Sequence, residues 1–211
     1  MLPRSVGSPA VLGKEAPFPL QTLASATPGA PRIVTWRALP LVFVPVGALL
    51  VALQVQGVFL DYVHVMSGAL WTGIDIFMGL VIGPIMGRMP PAARAQFVQS
   101  LVPTMLFLMP TLASVTITAG IYLAISVGVF DLHYLAIQVA GVLVVLLLIQ
   151  GLGIFLPNEI RIVLELRKER PNVQRIGRWG LLNARLFGLQ AIFQVGLIFV
   201  MASLAAGLVN L

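Results

Sequence analysis

The chain has 211 residues, 59% apolar and only 9% charged, with a mean hydropathy of +1.00, which is more apolar side chain than one water-soluble core of this size encloses. Its 13 Lys and Arg against 7 Asp and Glu leave +6, but in so apolar a chain the charges act through their position along a bilayer, and no nucleic-acid partner is expected. The absence of cysteine excludes disulfides and thiolate metal sites.

Residues 1–36 are rich in Pro, Gly, Ser and Ala without a sustained helical period, and read as a disordered cytoplasmic arm. The small-residue stretch LASA offers a rival reading as a cleaved signal peptide, but prolines break the run ahead of it. The remainder, 37–211, reads as one transmembrane helical domain. Five apolar runs, about 38–57, 61–87, 99–128, 132–156 and 181–208, are each long enough to cross roughly 30 Å of hydrocarbon. Lipid gives unpaired backbone groups no partner, so runs of this kind form helices. The expected fold is an all-α integral membrane protein, a five-helix transmembrane bundle. Its first span is the least regular, with Pro40, Pro45 and an end at Gln54, Gln56 and Gly57.

The basic residues set the orientation. Every Lys and Arg lies before the first span, between the second and third, or around the 157–180 link between the fourth and fifth. The positive-inside rule then places the N-terminus inside and the C-terminus outside, in a multi-pass protein of the cytoplasmic (inner) membrane.

The second span, within LDYVHVMSGALWTGIDIFMGLVIGPIMGRM, holds His64, Trp71 and Asp75. At about 100° per residue their spacing puts them on one narrow stripe. Asp75 falls near mid-span, where facing lipid would cost at least a few kcal/mol, so it is expected to face the bundle interior. No basic residue shares its depth, so a buried ion pair is excluded unless a cofactor or bound cation supplies the charge, and hydrogen bonds are expected to hold it. The inward polar groups on offer are Thr116 and Thr118 in the third span and Asn183, Gln190 and Gln194 in the fifth. As helix glue such groups are worth only about 1 kcal/mol each. An intramembrane acid, by contrast, is by default a proton, ion or cofactor site, which makes Asp75 a candidate proton relay. Further on, Gly79 and Gly83 permit close helix contact, and Pro84 is expected to bend or end the helix before Arg88.

The two histidines form a local echo. FLDYVH opens the second span and VFDLH the fourth, placing His64 and His133 about one turn inside the outer face. Imidazole pairs ligate b-type haem, and with Met66 the set suits copper. The alternative is that each ring meets headgroups on its own. After the fourth span, PNEIRIVLELRKERPNVQRIGRWG is expected to carry the helix past the bilayer and stop near Pro171, with Arg175 and Arg178 among the headgroups on re-entry. No nucleotide-binding loop, zinc-protease motif or nucleophile motif is present, so nothing points to a hydrolase or an ATP-driven pump.

YVHVMSGALWTGIDIFMG, a basic loop and then LVPTMLFLMPTLASVTITAGIYLAI together resemble CopD-type membrane proteins and their DUF2269 and HemJ-type relatives, over about residues 58–128. The resemblance implies a four-helix membrane core that handles haem or copper, with His64 at the motif histidine and the first span added. HemJ-type enzymes also use an intramembrane lysine, whereas Lys14 and Lys168 lie outside the spans, which argues against porphyrinogen oxidation. The leading expectation is a small membrane protein that binds haem b or a metal ion through His64 and His133. Electron exchange with quinone or a partner subunit would follow, with Asp75 relaying protons. Two alternatives stand beside it. One is a copper or small-solute permease, acting as a homo-oligomer with Asp75 lining the route. The other is an anchoring subunit of a membrane complex.

Overall fold

The computed structural model describes residues 39–208, so the arm read over 1–36 lies outside the described residues. The described chain is helical, in five pieces: α1 Leu39–Val55, α2 Gly57–Arg88, α3 Pro91–Ser126, α4 Leu135–Leu166 and α5 Val173–Ala205. Helices α2 to α5 are long and apolar enough to cross a membrane, and α1 is a shorter apolar helix of 17 residues. Large apolar side chains such as Phe43, Val58, Leu80 and Phe199 point outward, which a bilayer tolerates and water does not.

Each connection has a local cause. Between α1 and α2 the chain turns at Gln56, with φ 59° and ψ −164°, and at Gly57, with φ 58°. The first of these conformations is one that essentially only glycine adopts without strain. Gln56 is held there by its N–H on the Ala52 carbonyl at 2.8 Å and its Nε2 on the Leu53 carbonyl at 2.7 Å. Between α2 and α3, Arg94 donates from Nε to the Met86 carbonyl at 2.7 Å and from Nη2 to the Met89 carbonyl at 2.9 Å, satisfying the carbonyls left at the end of α2. Helix α4 extends to Leu166, and α5 starts behind Asn172, whose Oδ1 accepts the Arg175 N–H at 3.0 Å as an N-cap. Helix α4 thus stops five residues short of Pro171, and Arg175 and Arg178 on the next helix are exposed.

Pro84 does not end its helix. Residues Phe77–Ile82 form a π-helical turn just ahead of it, and the helix continues to Arg88. Gly151–Phe155 form a second π turn just ahead of Pro157 in α4. A proline ring crowds the carbonyl four residues earlier, and a widened turn relieves that crowding without breaking the helix.

Small residues let α5 run through the middle of the bundle. A Cβ added to Gly79 would lie 2.3 Å from the backbone N and Cα of Gly188, so α2 and α5 touch backbone to backbone there. One turn on, Gly83 meets Ala184. On its other side α5 admits α3, where a Cβ on Gly180 would fall 2.2 Å from a Val98 methyl. The expected close contact at Gly79 and Gly83 is thus the seam that sets α2 against α5.

Candidate functional site

Asp75 is fully buried, at 0% exposure, and faces α5. The crossing at Gly79 and Gly188 lies one helical turn away and brings the carboxyl to Gln190, whose Nε2 donates to Oδ2 at 2.8 Å. Gln194 faces the same carboxyl from one turn further along α5, but its amide is outside hydrogen-bonding geometry. Asp75 Oδ1, Gln190 Oε1 and both polar atoms of the Gln194 amide are buried without a partner among the described residues. Leaving such a group unpaired would cost about 1–3 kcal/mol, so these atoms are placed for partners that the surrounding side chains do not supply. Helix α4 adds Gln150, with Nε2 on the Leu186 carbonyl of α5 at 3.0 Å and Oε1 unpaired. Trp71, on the Asp75 side of α2, is buried as expected in an apolar cluster with Met109, Leu112 and Phe187.

Of the candidate partners for Asp75, Gln190 is bonded and Gln194 adjacent, while the others serve elsewhere. Thr116 Oγ1 donates to Ser67 Oγ at 2.9 Å, and Asn183 Oδ1 accepts from Asn158 Nδ2 at 3.0 Å. Thr118 is half-buried and makes no hydrogen bond to the acid.

A second polar level occurs seven residues earlier on α5. There Asn183 joins Asn158 of α4, and Arg161 Nη1 donates to Asn158 Oδ1 at 3.3 Å from the exposed surface. Glu159 is buried beside them, at 5% exposure, with no hydrogen bond or ion pair among the described residues. The sequence reading carried the fourth helix through Glu159 toward Pro171 but did not mark the acid as inward. Its signal was present: Phe155, Glu159, Ile162, Val163 and Leu166 repeat at helical spacing, so the acid occupies the inward stripe of an amphipathic helix.

The two histidines have different settings. His64, on α2, is half-buried against α3, its Nδ1 2.9 Å from the Thr116 carbonyl. Because a carbonyl only accepts, Nδ1 is the nitrogen that donates to it, leaving Nε2 on the other side of the ring. The ring fits because position 120 is glycine, where a Cβ would fall 2.6 Å from Cε1. His133 is in the α3–α4 connection with its side chain 94% exposed, its Nδ1 2.7 Å from Asp131 Oδ1. That Oδ1 also accepts the His133 backbone N–H at 2.9 Å, and these two bonds hold the Asp131 carboxyl below the usual aspartate range. His64 and His133 share no hydrogen bond or ring contact, and Met66 is 42% exposed, about 200° around α2 from His64. Among the described residues no three His, Asp or Glu side chains lie close enough together to hold a metal ion.

No protein-family model matches the chain, and neither a curated protein nor a solved structure matches it.

Proposed function

We propose that the protein is a multi-pass transporter of the cytoplasmic membrane that carries protons or small monovalent cations, with Asp75 as the exchanging group. The observation that carries this reading is the setting of Asp75: a fully buried carboxyl with one oxygen bonded to Gln190 and, among the described residues, the other oxygen unpaired and no basic side chain bonded to it. Intramembrane acids facing a bundle interior mark ion and proton routes, and unpaired amide oxygens beside such an acid are ligands a proton carrier or cation would use. Arg88, Arg94, Arg167, Lys168, Arg170 and Arg175 lie at the α2–α3 and α4–α5 turns, which in this reading face the cytoplasm, leaving the end of α5 outside.

The test is dissipation of an imposed pH gradient in proteoliposomes carrying a trapped pH dye. The protein should speed dissipation over protein-free vesicles, and Asp75→Asn, which keeps the shape and the Gln190 contact, should return it to the protein-free rate. Wild-type speed in Asp75→Asn would overturn the reading.

His64 favours a second reading, the haem or copper protein to which the sequence resemblance points, with quinone or a subunit as redox partner. A histidine that gives its Nδ1 proton to a carbonyl and presents a free Nε2 is oriented as ligating histidines are. The fit extends to this one ligand, since His133 and Met66 have separate settings. If bound, the group would supply one-electron chemistry, and His64 would hold it. A visible absorption band with bound iron or copper, lost in His64→Ala, would support this reading; a colourless, metal-free protein would end it.

A further inference from the structure

We infer that Glu159 is a second exchanging acid, in series with Asp75 across a closed aromatic pair, and that the species passed between them is the proton. This rests on the transport reading above and adds a site and a substrate class to it.

Glu159 borders a small cavity of about 20 Å³, together with Met78, Met86, Met105, Asn183 and Phe187. A space of this size holds about one water molecule. It is too small for a cation that keeps its hydration shell. Among the described residues no other charged side chain lines it, and Glu159 has neither a hydrogen bond nor an ion pair to account for its burial. A polar chain leads from the cavity to the basic end of the bundle through Asn183, Asn158 and the exposed Arg161, at 3.0 and 3.3 Å.

Between the levels of Glu159 and Asp75 stands a pair of stacked rings. Phe155 and Phe187 stack at 4.5 Å between centroids with 14° between planes. Along α4, Phe155 lies between Gln150 and Glu159; along α5, Phe187 lies between Asn183 and Gln190. At 1.5 Å per residue, the seven residues between Asn183 and Gln190 separate the two polar levels by about 10 Å. Phe155 ends the π turn Gly151–Phe155, a wider and less tightly bonded turn than its neighbours, so its ring is placed where the helix yields most readily. A proton crosses such a gap through one transient water when the rings part. A larger ion needs a continuous opening.

The experiment uses the full chain in proteoliposomes. N,N′-dicyclohexylcarbodiimide, which modifies acids in apolar surroundings, should inhibit the flux, with the adduct on Glu159 by peptide mass spectrometry. Glu159→Gln, an isosteric change, should cut proton flux at least tenfold, and Phe187→Ala should raise it, with choline substitution for sodium and potassium leaving both rates unchanged. If Glu159→Gln keeps wild-type flux while Asp75→Asn is inactive, the inference fails and the transport reading survives; wild-type flux in both variants overturns both. Should Glu159→Gln fail to elute as a folded species, the unmodified chain decides. An adduct on Glu159 with loss of flux supports the relay, and full flux with Glu159 unlabelled overturns it.

Discussion

Substituting Gly79 by alanine tests how closely the fold and the acid site are coupled. The added Cβ would lie 2.3 Å from the backbone of Gly188, and backbone cannot rotate away as a side chain does. Restoring an ordinary carbon contact of about 3.5 Å requires α2 and α5 to part by about 1.2 Å at the crossing. Overpacking of this kind costs about 1–3 kcal/mol. Asp75 is one turn from the crossing, so the same displacement would stretch its 2.8 Å bond to Gln190 to about 4 Å, beyond hydrogen bonding. Gly73→Ala is the control, because nothing lies within 4 Å of its added Cβ. Thermal unfolding in detergent, read by helical circular dichroism, should show Gly79→Ala destabilised and Gly73→Ala within about 0.5 kcal/mol of the parent. Flux should fall in the first and persist in the second. Equal stability of the two variants would refute the backbone contact and the reasoning built on it.

Three further outcomes are expected. Gly120→Ala pushes its Cβ into the His64 ring and should cost about 1–3 kcal/mol, but little in a His64→Ala background, so a double-mutant cycle should give a coupling above about 0.5 kcal/mol. Gln56→Gly relieves a backbone conformation that costs about 1–3 kcal/mol and loses the bond to Leu53, so a net gain near 1 kcal/mol should appear as a higher unfolding temperature. The carboxyl of Asp131 should titrate below an ordinary aspartate by carbon NMR, and His133→Ala should restore only part of the shift, because the backbone N–H, the larger cause, remains. As its folded value is depressed, its contribution to stability is present above the unfolded value and disappears as pH falls through the folded one.

The helices were legible because length and hydropathy act locally: four apolar runs correspond to α2 to α5, and the fifth to the shorter α1. The inward direction of Asp75 was legible for the same reason, since one carboxyl in an apolar run dictates which side faces lipid. Its partner was not. Thr116, Asn183 and Gln190 are equally suitable by composition, and the choice depends on the depth at which Gly79 meets Gly188, a property of two helices at once. Glu159 was missed because it stands among the charges of the basic link, although its place in the 155–166 apolar stripe marked it as inward. The π turns were hidden because a proline at 84 or 157 is compatible with a kink, a stop or a widened turn, and neighbouring helices decide among them. His64 and His133 look alike in sequence, yet glycine at 120 admits one ring against α3 and Asp131 holds the other in the exposed turn.

The most direct test of the central claim is the reversal potential of the reconstituted protein in a planar bilayer with a tenfold proton gradient and symmetrical sodium and potassium. One pH unit is worth 1.36 kcal/mol and 100 mV about 2.3 kcal/mol per charge, so a proton-selective path reverses at about 59 mV. Proton transfer through Asp75 gives that value, and Asp75→Asn abolishes the current. A reversal potential at zero under the pH gradient, or a current that Asp75→Asn leaves unchanged, would contradict it.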